Sequence, residues 1–413
     1  MLLQGFLVRI VREGTLTLID AGGRRHQLGD GTEPRCAVRL APDLRDFGLF
    51  FNPPLFLGEA YMNSKIAIEE GSIGDLLEIL LRNYHHLERH WITRTARALG
   101  RQGRRLQQYN PLRRARQNVA HHYDLSGELY DLFLDSDRQY SCAYFASPDD
   151  SLDTAQLRKK RHIAAKLLLD RPGLTVLDVG SGWGGMALYL AEENDCRVDG
   201  VTLSTEQHAR SEARAHSAGL ADRVRFRLRD YREETGTFDR IVSVGMFEHV
   251  GKRNYREFFA KIRDLMNDGG ICLLHSIGRF DEPAPVNPFI RKYIFPGTDV
   301  PTLSEVMHAV ERSGLFATDI EILRLHYAET LRHWRERFQR NRSRIAALYD
   351  ERFCRMWELY LVSCEMGFRH GGLMVFQLQL AKRLDALPLT RDYMVDRERA
   401  RNARAARPVR SAR

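Results

Sequence analysis

The sequence predicts an α/β protein whose main domain is a mostly parallel, doubly wound sheet, preceded by a small α+β domain. Five short apolar runs follow one another after about residue 118, at 175–179, 197–202, 224–229, 240–244 and 271–277. Helical stretches separate these runs, and strands that alternate with helices form parallel sheets covered on both faces. The first run also leads directly into a glycine-rich turn, as expected at the ligand-binding edge of such a sheet.

Four regions are predicted along the 413 residues. Residues 1–85 form the small domain, with half-buried strands at 14–20 and 37–40 and a capping box at 72–75 that opens a helix. Residues 86–117 are an arginine-rich linker, 118–385 the α/β domain and 386–413 a basic tail. The tail is expected to be loose because its hydrophobicity is low. Within the α/β domain, 320–326 and 373–380 are predicted as added edge strands, on either side of a long helical region.

Composition favours a soluble globular protein of the cytoplasm. The hydrophobic fraction is 43%, no run of eighteen apolar residues occurs, and the first residues lack the basic start and apolar core of a signal peptide. The six cysteines include no C-x-x-C pair, which argues against a zinc site and favours reduced thiols. No metal is therefore expected.

Positive charge is concentrated in two places on a chain whose formal net charge is +9. Residues 82–117 hold ten arginines against one acid, and 391–413 hold eight arginines against three acids. Such clusters indicate a polyanionic partner, either nucleic acid or an anionic membrane surface. Solvated linkers that pair with neighbouring acids are the alternative.

The glycine-rich turn has the form Gly180-x-Gly182-x-Gly184, with Asp178 just before it. Glycines allow close approach of the backbone to a ligand, and the following helix presents free N–H groups. Gly180, Gly182 and Gly185 also fit the dinucleotide spacing, so the glycines alone do not decide between ligands. The D-x-G-x-G form resembles the S-adenosylmethionine loop of class I methyltransferases.

The residues after the next strands favour S-adenosylmethionine. A dinucleotide site predicts an acid at the end of the second strand, whereas Thr202 and Leu203 stand there, with Gln207 one turn further on. After the third strand, Asp230 can accept from an adenine amine and Tyr231 can stack on the ring, although Tyr231 also suits an ordinary surface aromatic. The cofactor-binding residues are predicted to be Tyr140, Ser141, Asp178, Gly180, Gly182, Thr202, Leu203, Gln207, Asp230 and Tyr231.

Seven segments in order along 118–383 resemble the cyclopropane-fatty-acyl-phospholipid synthases: 118–125, 139–144, 200–207, 238–251, 274–278, 292–296 and 351–356. The first domain also resembles the small domain of the bacterial phospholipid-acting members. One departure is Ser181, where the family usually has cysteine. The resemblance implies a Rossmann-like class I methyltransferase fold with S-adenosylmethionine as methyl donor.

The resemblance also implies a bound bicarbonate that serves as the base of the reaction. The matching residues are Cys142, Glu248, His275, Ile277 and Tyr327. Cys142 and Ile277 would offer backbone groups, His275 and Tyr327 would donate side-chain hydrogen bonds, and Glu248 would accept from the bicarbonate hydroxyl. Taken alone, Glu248 also suits a helix N-terminus and His275 a buried core position. A covalent role for Cys142 is disfavoured because no base stands beside it and alkene methylation needs no thiolate.

Several aromatic residues suit either an acyl channel or ordinary core packing, and the sequence leaves this open. They are Phe247, Tyr293, Phe295, Trp334 and Phe338.

The expected function is methylene transfer from S-adenosylmethionine to the cis double bond of a phospholipid acyl chain, at the inner face of the membrane. The expected partners are unsaturated phospholipids and an anionic membrane surface, and a homodimer is left open. A methylene- or methyl-branched product is the alternative on the same scaffold. A catalytically silent lipid-binding protein is disfavoured by Asp178, Glu248 and His275. A nucleic-acid methyltransferase is disfavoured because no polar N-P-P-Y tetrad follows the fourth strand.

Overall fold

The computed structural model describes residues 7–44, 52–83 and 126–405. The predicted arginine-rich linker at 86–117 and the motif at 118–125 lie outside the described residues. Within the described segments, no helix is long and apolar enough to cross a membrane.

The N-terminal unit contains a four-stranded sheet and, within residues 52–83, two helices. Its strands are β1 (Thr15–Ile19), β2 (Arg25–Gly29), β3 (Arg35–Leu40) and β4 (Ile66–Glu70), in the order β2-β1-β3-β4. Its helices are α1 (Pro53–Met62) and α2 (Ile73–Arg82). Helix α2 begins with the predicted capping box: Ser72 Oγ accepts from the Asp75 N–H, and the Asp75 carboxylate accepts from the Ser72 N–H.

The main domain contains a seven-stranded sheet in the order β10-β11-β9-β8-β5-β6-β7. Its strands are β5 (Thr175–Val179), β6 (Arg197–Thr202), β7 (Val224–Leu228), β8 (Phe238–Val244), β9 (Met266–Arg279), β10 (Phe316–Ile322) and β11 (Leu373–Ala381). The five strands from β9 to β7 in that order are mutually parallel, and β11 runs antiparallel to both of its neighbours. The predicted fold class is confirmed: an α/β sheet typical of class I methyltransferases with a small N-terminal domain.

Helices cover this sheet and complete the domain. They are α3 (Gly127–Phe133), α4 (Leu152–Lys166), α5 (Gly185–Asn194), α6 (Thr205–Ser217), α7 (Tyr255–Asp264), α8 (Pro288–Tyr293), α9 (Leu303–Val310), α10 (His326–Arg340), α11 (Arg342–Leu348), α12 (Glu351–His370) and α13 (Asp392–Ala405). The predicted long helical region at 329–369 is thus three consecutive helices, α10 to α12.

The N-terminal unit and the main domain share a hydrophobic core that α12 connects. Helices α1 and α2 both pack against α12. The Tyr61 hydroxyl donates to Glu358 at 2.9 Å, and Arg355 donates to the carbonyl oxygens of Tyr61 and Ile66 at 2.7 and 2.9 Å. The small domain is therefore packed against the helical layer that lies beside the candidate site.

Of the two late strands predicted at the edge of the sheet, one is misplaced and the other is correct in position but not in its bounds. The segment 373–380 was expected at an edge, but β11 lies between β9 and β10 and is almost fully buried. The strand predicted at 320–326 is confirmed at the edge, where β10 lies, but β10 ends at Ile322 and His326 already begins α10. Strand β11 pairs with β9 through nine successive residues, and a pairing between segments so distant in the chain leaves no local signal.

The tail at 386–413 is predicted to be loose, but Asp392–Ala405 form α13, which packs on α4, while residues 406–413 lie outside the described residues. Glu398 contacts His162 Nδ1 at 3.1 Å, Arg397 donates to the Leu169 carbonyl at 3.1 Å, and Met394 is buried. The low hydrophobicity of the segment was misleading because its helix is held mainly by polar contacts with residues more than 200 positions away.

Candidate active site

A cavity lies at the carboxyl ends of β5, β6, β7 and β8, the edge at which doubly wound sheets bind ligands. All ten residues predicted to bind the cofactor line it: Tyr140, Ser141, Asp178, Gly180, Gly182, Thr202, Leu203, Gln207, Asp230 and Tyr231. The sequence thus predicted which residues share one cavity wall. Their contacts with a bound ligand stay a prediction.

The glycine turn has the backbone that its sequence predicts. Gly180 and Gly182 both have positive φ angles, of 84° and 54°, which glycine adopts without steric cost. A Cβ on Gly180 would lie 2.7 Å from Cβ of Met246, so the wall of the cavity is closed there. A Cβ on Gly182 would meet nothing within 4 Å, so this position faces open space.

Gln207 and Asp178 place polar groups on the cavity wall, where a ligand would contact them. Thr202 Oγ1 donates to Gln207 Oε1 at 2.8 Å, which orients the glutamine amide one helical turn after the strand. Asp178 is 2% exposed, and its Oδ2 has no hydrogen-bond partner among the residues that the structure describes. Burial raises the pKa of Asp178 to about 7, and the nearby Lys159 ammonium opposes that shift.

Asp230 and Tyr231 follow β7, where adenine contacts were predicted. The Asp230 carboxylate accepts from Arg232 Nε at 2.9 Å and Nη2 at 2.8 Å. A carboxylate has about four acceptor positions, so this pair leaves capacity for an exocyclic amine. Tyr231 packs edge-on against Phe258, with ring centroids 5.4 Å apart. Its ring therefore belongs to the cavity wall and is not a free surface aromatic.

The segment 139–143 closes one side of the cavity and is fixed by residues that the sequence analysis missed. Gln156 Nε2 donates to the Ser141 carbonyl at 3.0 Å, and Lys159 Nζ donates to Ser141 Oγ at 2.8 Å. Thr330 Oγ1 accepts from the Ala143 N–H at 3.0 Å. One available signal was the buried face of α4, where Lys159 stands four residues from both Ala155 and Ile163.

Of the five predicted catalytic residues, Glu248 and Ile277 are directly joined. Glu248 lies in a 3₁₀ turn at Phe247–His249, and its Oε1 accepts from the Ile277 N–H at 2.6 Å. Its Oε2 is buried and has no hydrogen-bond partner among the described residues. Burial raises the pKa of Glu248, and the Ile277 N–H and the nearby Ser276 side chain oppose that shift; the Ser276 hydroxyl itself donates to the Ile277 carbonyl at 3.1 Å. A buried oxygen left without a donor is what an absent hydroxyl-bearing group would satisfy.

His275 is two residues from Ile277 on β9 and is buried. Gln377 Nε2 contacts His275 Nδ1 at 3.2 Å; because the amide nitrogen donates, Nδ1 accepts and the ring proton is on Nε2. Burial holds the pKa of His275 well below its usual range, so the ring is neutral. A neutral ring with its proton on Nε2 can donate a hydrogen bond, and its donation to bicarbonate stays a prediction.

Cys142 and Tyr327 lie in the hydrophobic core against which Ile277 packs. Burial raises the pKa of the Cys142 thiol, which disfavours a thiolate nucleophile. Tyr327 is the second residue of α10, and its ring packs on Trp334 and Phe368 with centroids 5.8 and 4.8 Å apart. The part of Cys142 and Tyr327 in the cluster stays a prediction.

Three of the aromatic residues left open by the sequence are core. Phe247 stacks on Tyr255 with centroids 4.5 Å apart, and Trp334 and Phe338 are fully buried. The sequence analysis also missed His249, which lines the cavity one residue after Glu248. Burial lowers its pKa to about 4, so it is neutral near pH 7.

The parallel sheet with its cavity at the glycine turn defines a class I methyltransferase. The chain belongs to the mycolic acid cyclopropane synthetase family, whose model matches residues 110–378. It is therefore an S-adenosylmethionine-dependent methyltransferase of that family. A second model, for a domain of unknown function (DUF7884), matches residues 15–90.

Two relatives whose names give different activities have the same sequence identity to the chain. A "Probable fatty acid methyltransferase" of Pseudomonas putida is 41% identical over 287 residues, 67% of this chain and 73% of that protein. The "Cyclopropane-fatty-acyl-phospholipid synthase" of Escherichia coli K12 is 41% identical over 264 residues, 64% of this chain and 67% of that protein.

A solved structure with a bound cofactor product has the same fold. The mycolic acid cyclopropane synthase CmaA1, complexed with SAH and CTAB, has 34% identity and a TM-score of 0.61, covering 64% of this chain and 97% of that one. S-adenosylhomocysteine (SAH) is what S-adenosylmethionine becomes when it gives up its methyl group.

Proposed function

We propose that the protein transfers a methylene group from S-adenosylmethionine to the cis double bond of an unsaturated phospholipid acyl chain, forming a cyclopropane ring. One observation carries this proposal. Gly245, Met246 and His249 line the methyl-donor cavity, while Glu248 between them turns inward and binds the Ile277 N–H. The predicted cluster member Glu248 thus stands between residues that line the cavity, which supports the proposal that the cluster holds a base beside the methyl donor.

The reaction explains why such a cluster is needed. The alkene electron pair forms a bond to the methyl carbon, and the electrons of the carbon–sulfur bond stay on sulfur. A carbocation remains on the acyl chain, which water would trap, so the site must be dry. A base then removes a proton from the transferred methyl group, and the electrons of that carbon–hydrogen bond close the ring.

Bicarbonate is the base that we propose for this step, and the residues present fit it. Glu248 Oε2 is a buried acceptor without a donor, suited to a bicarbonate hydroxyl. His275 offers a donor on Nε2. The Ile277 N–H is already engaged by Glu248, so we assign to Ile277 the role of holding that carboxylate. Cys142 and Tyr327 would complete the enclosure.

The alternative product is a methylene- or methyl-branched chain, favoured if a hydride shifts before the proton is removed. The similarity to a probable fatty acid methyltransferase supports this second candidate. NMR of the lipids from a host that expresses the protein distinguishes the two. We expect upfield cyclopropane methylene signals; vinylidene or branched-methyl signals in their place would establish the alternative.

We also propose that residues 82–117 dock the enzyme on anionic lipid, because an acyl chain must be drawn from a bilayer into a dry site. Each arginine near such a surface contributes about 1 kcal/mol, and salt weakens the attraction. In liposome flotation, binding should rise with anionic lipid content and fall with salt. Replacing Arg101, Arg104 and Arg105 by glutamine should weaken it. Equal flotation on neutral and anionic vesicles would refute this role, whatever the catalytic result.

A further inference from the structure

Lys159 is a fully buried lysine beside the cavity, and it forms no ion pair with a carboxylate among the residues that the structure describes. Its side chain is 0% exposed, and Nζ donates to Gln139 Oε1 at 2.6 Å and to Ser141 Oγ at 2.8 Å. Both of these acceptors belong to residues that line the cavity. The third N–H of the ammonium has no acceptor within residues 7–44, 52–83 and 126–405.

The other buried lysines of α4 are paired in the usual way. Lys160 forms an ion pair with Asp137, and Lys166 forms one with Glu321. A buried ammonium without an ion pair is costly, and such groups persist mainly where a site uses them. Among the described residues, Lys159 is therefore the buried lysine of α4 that lacks an ion pair, and its hydrogen bonds go to residues that line the cavity.

The charge of Lys159 affects residues of both the predicted cofactor-binding set and the predicted bicarbonate cluster. Burial raises the pKa values of Asp178 and Cys142, and the Lys159 ammonium opposes both shifts. Burial lowers the pKa of His275, and Lys159 lowers it further. Because His275 is neutral, Cys142 is a thiol and Glu248 is an acid, none of these three can supply a positive charge to an anionic base.

We propose that Lys159, hydrogen-bonded to Gln139 and Ser141, is a positioning residue whose ammonium supplies the positive charge that an anionic base such as bicarbonate requires. This inference rests on the proposed function. It predicts two opposite consequences of removing the charge. The anionic base should bind less well, whereas the cationic sulfonium of S-adenosylmethionine should bind as well as before or better.

The test compares Lys159→Met with Lys159→Arg in carbonate-depleted buffer to which bicarbonate is added back. For Lys159→Met we expect the KM for bicarbonate to rise about tenfold or more, with the calorimetric Kd for S-adenosylmethionine not increased. Methionine of similar length suits a buried site, so the fold should persist. If Lys159→Met does not fold, Lys159→Gln takes its place in the test, because glutamine keeps a hydrogen-bonding group without the charge. Lys159→Arg should retain most of the wild-type affinity for bicarbonate.

A pH profile gives a second readout that a purely structural role would not move. Burial lowers the pKa of Lys159 to about 8, and the acids Asp135 and Asp137 and the thiol of Cys142 oppose that shift, whereas Lys160 adds to it. A lysine is charged below its pKa, so bicarbonate affinity should fall as pH rises through about 8. The Arg variant should lack this fall because guanidinium stays protonated.

Gln156→Leu is the matched control, because Gln156 Nε2 donates to the Ser141 carbonyl at 3.0 Å and so anchors the same segment without carrying a charge. It should not affect bicarbonate selectively. If Lys159→Met leaves the KM for bicarbonate unchanged, or weakens both ligands equally as a distorted loop would, the inference is wrong. A wild type that shows no bicarbonate dependence would instead refute the proposed base itself, so the two failures are distinguishable.

Discussion

Glu248→Gln is expected to lower turnover by a factor on the order of a hundred or more, with little change in affinity for S-adenosylmethionine. The carboxylate is buried, and one oxygen is engaged by the Ile277 N–H while the other has no donor among the described residues. Glutamine keeps the size of the side chain, but its amide nitrogen cannot accept a hydrogen bond. A bicarbonate whose hydroxyl must donate there would be misoriented or lost.

Single-turnover kinetics and calorimetry measure the two quantities separately. Glu365→Gln is a suitable control, since Glu365 is also 2% exposed but pairs with Arg335 and Arg369 away from the cavity. The control should keep its turnover. If Glu248→Gln retains wild-type turnover, or if the wild type works fully without bicarbonate, the role assigned to this cluster is wrong.

The acid limb of the pH profile offers a related check. Burial raises the pKa of Glu248, and a carboxyl group is ionised only above its pKa. The acceptor form is therefore lost as pH falls through that raised value, and turnover should decline at a higher pH than an ordinary glutamate would give.

Gly182→Leu is expected to abolish binding of S-adenosylmethionine while leaving the fold intact. A Cβ at this position meets no atom within 4 Å, so the new side chain would project into the cavity and not into the protein. The φ angle of 54° costs a non-glycine residue roughly 1–2 kcal/mol, which a folded domain of this size tolerates. Calorimetry should detect no binding, and circular dichroism should show the wild-type spectrum.

Gly173→Leu provides the matched control for backbone strain. Gly173 has a φ of 75° and equally open surroundings, but it lies in the turn before β5, at the opposite end of that strand from the cavity. Both variants should lose similar stability, and only Gly182→Leu should lose binding. If Gly182→Leu bound S-adenosylmethionine with unchanged affinity, the glycine turn would not be the site of the methyl donor.

The sequence predicted those elements whose bounds are set by residues close together in the chain. Strands β5 and β6 have the predicted bounds because apolar runs end at a glycine turn and at Thr202. The cavity wall followed because the carboxyl ends of parallel strands meet at one edge. Strand β11 and helix α13 were misjudged because each is held by partners far away in the chain.

Lys159 shows a second limit of sequence reasoning. In the sequence it is one of two adjacent lysines on an amphipathic helix, and such residues are normally solvent-exposed. The approach of Gln139 and Ser141, about twenty positions earlier in the chain, places Lys159 against the site. Tertiary contacts of this kind decide which polar residues belong to an active site.

Methylene transfer itself is tested most directly by mass spectrometry with S-adenosylmethionine that carries a fully deuterated methyl group. The purified protein is incubated with vesicles of an unsaturated anionic phospholipid, and Glu248→Gln serves as the inactive control. We predict that the product acyl chain gains one carbon and keeps two of the three deuterium atoms, because the base removes the third before the ring closes. An acyl chain that keeps all three deuterium atoms, or that gains no label, would contradict methylene transfer.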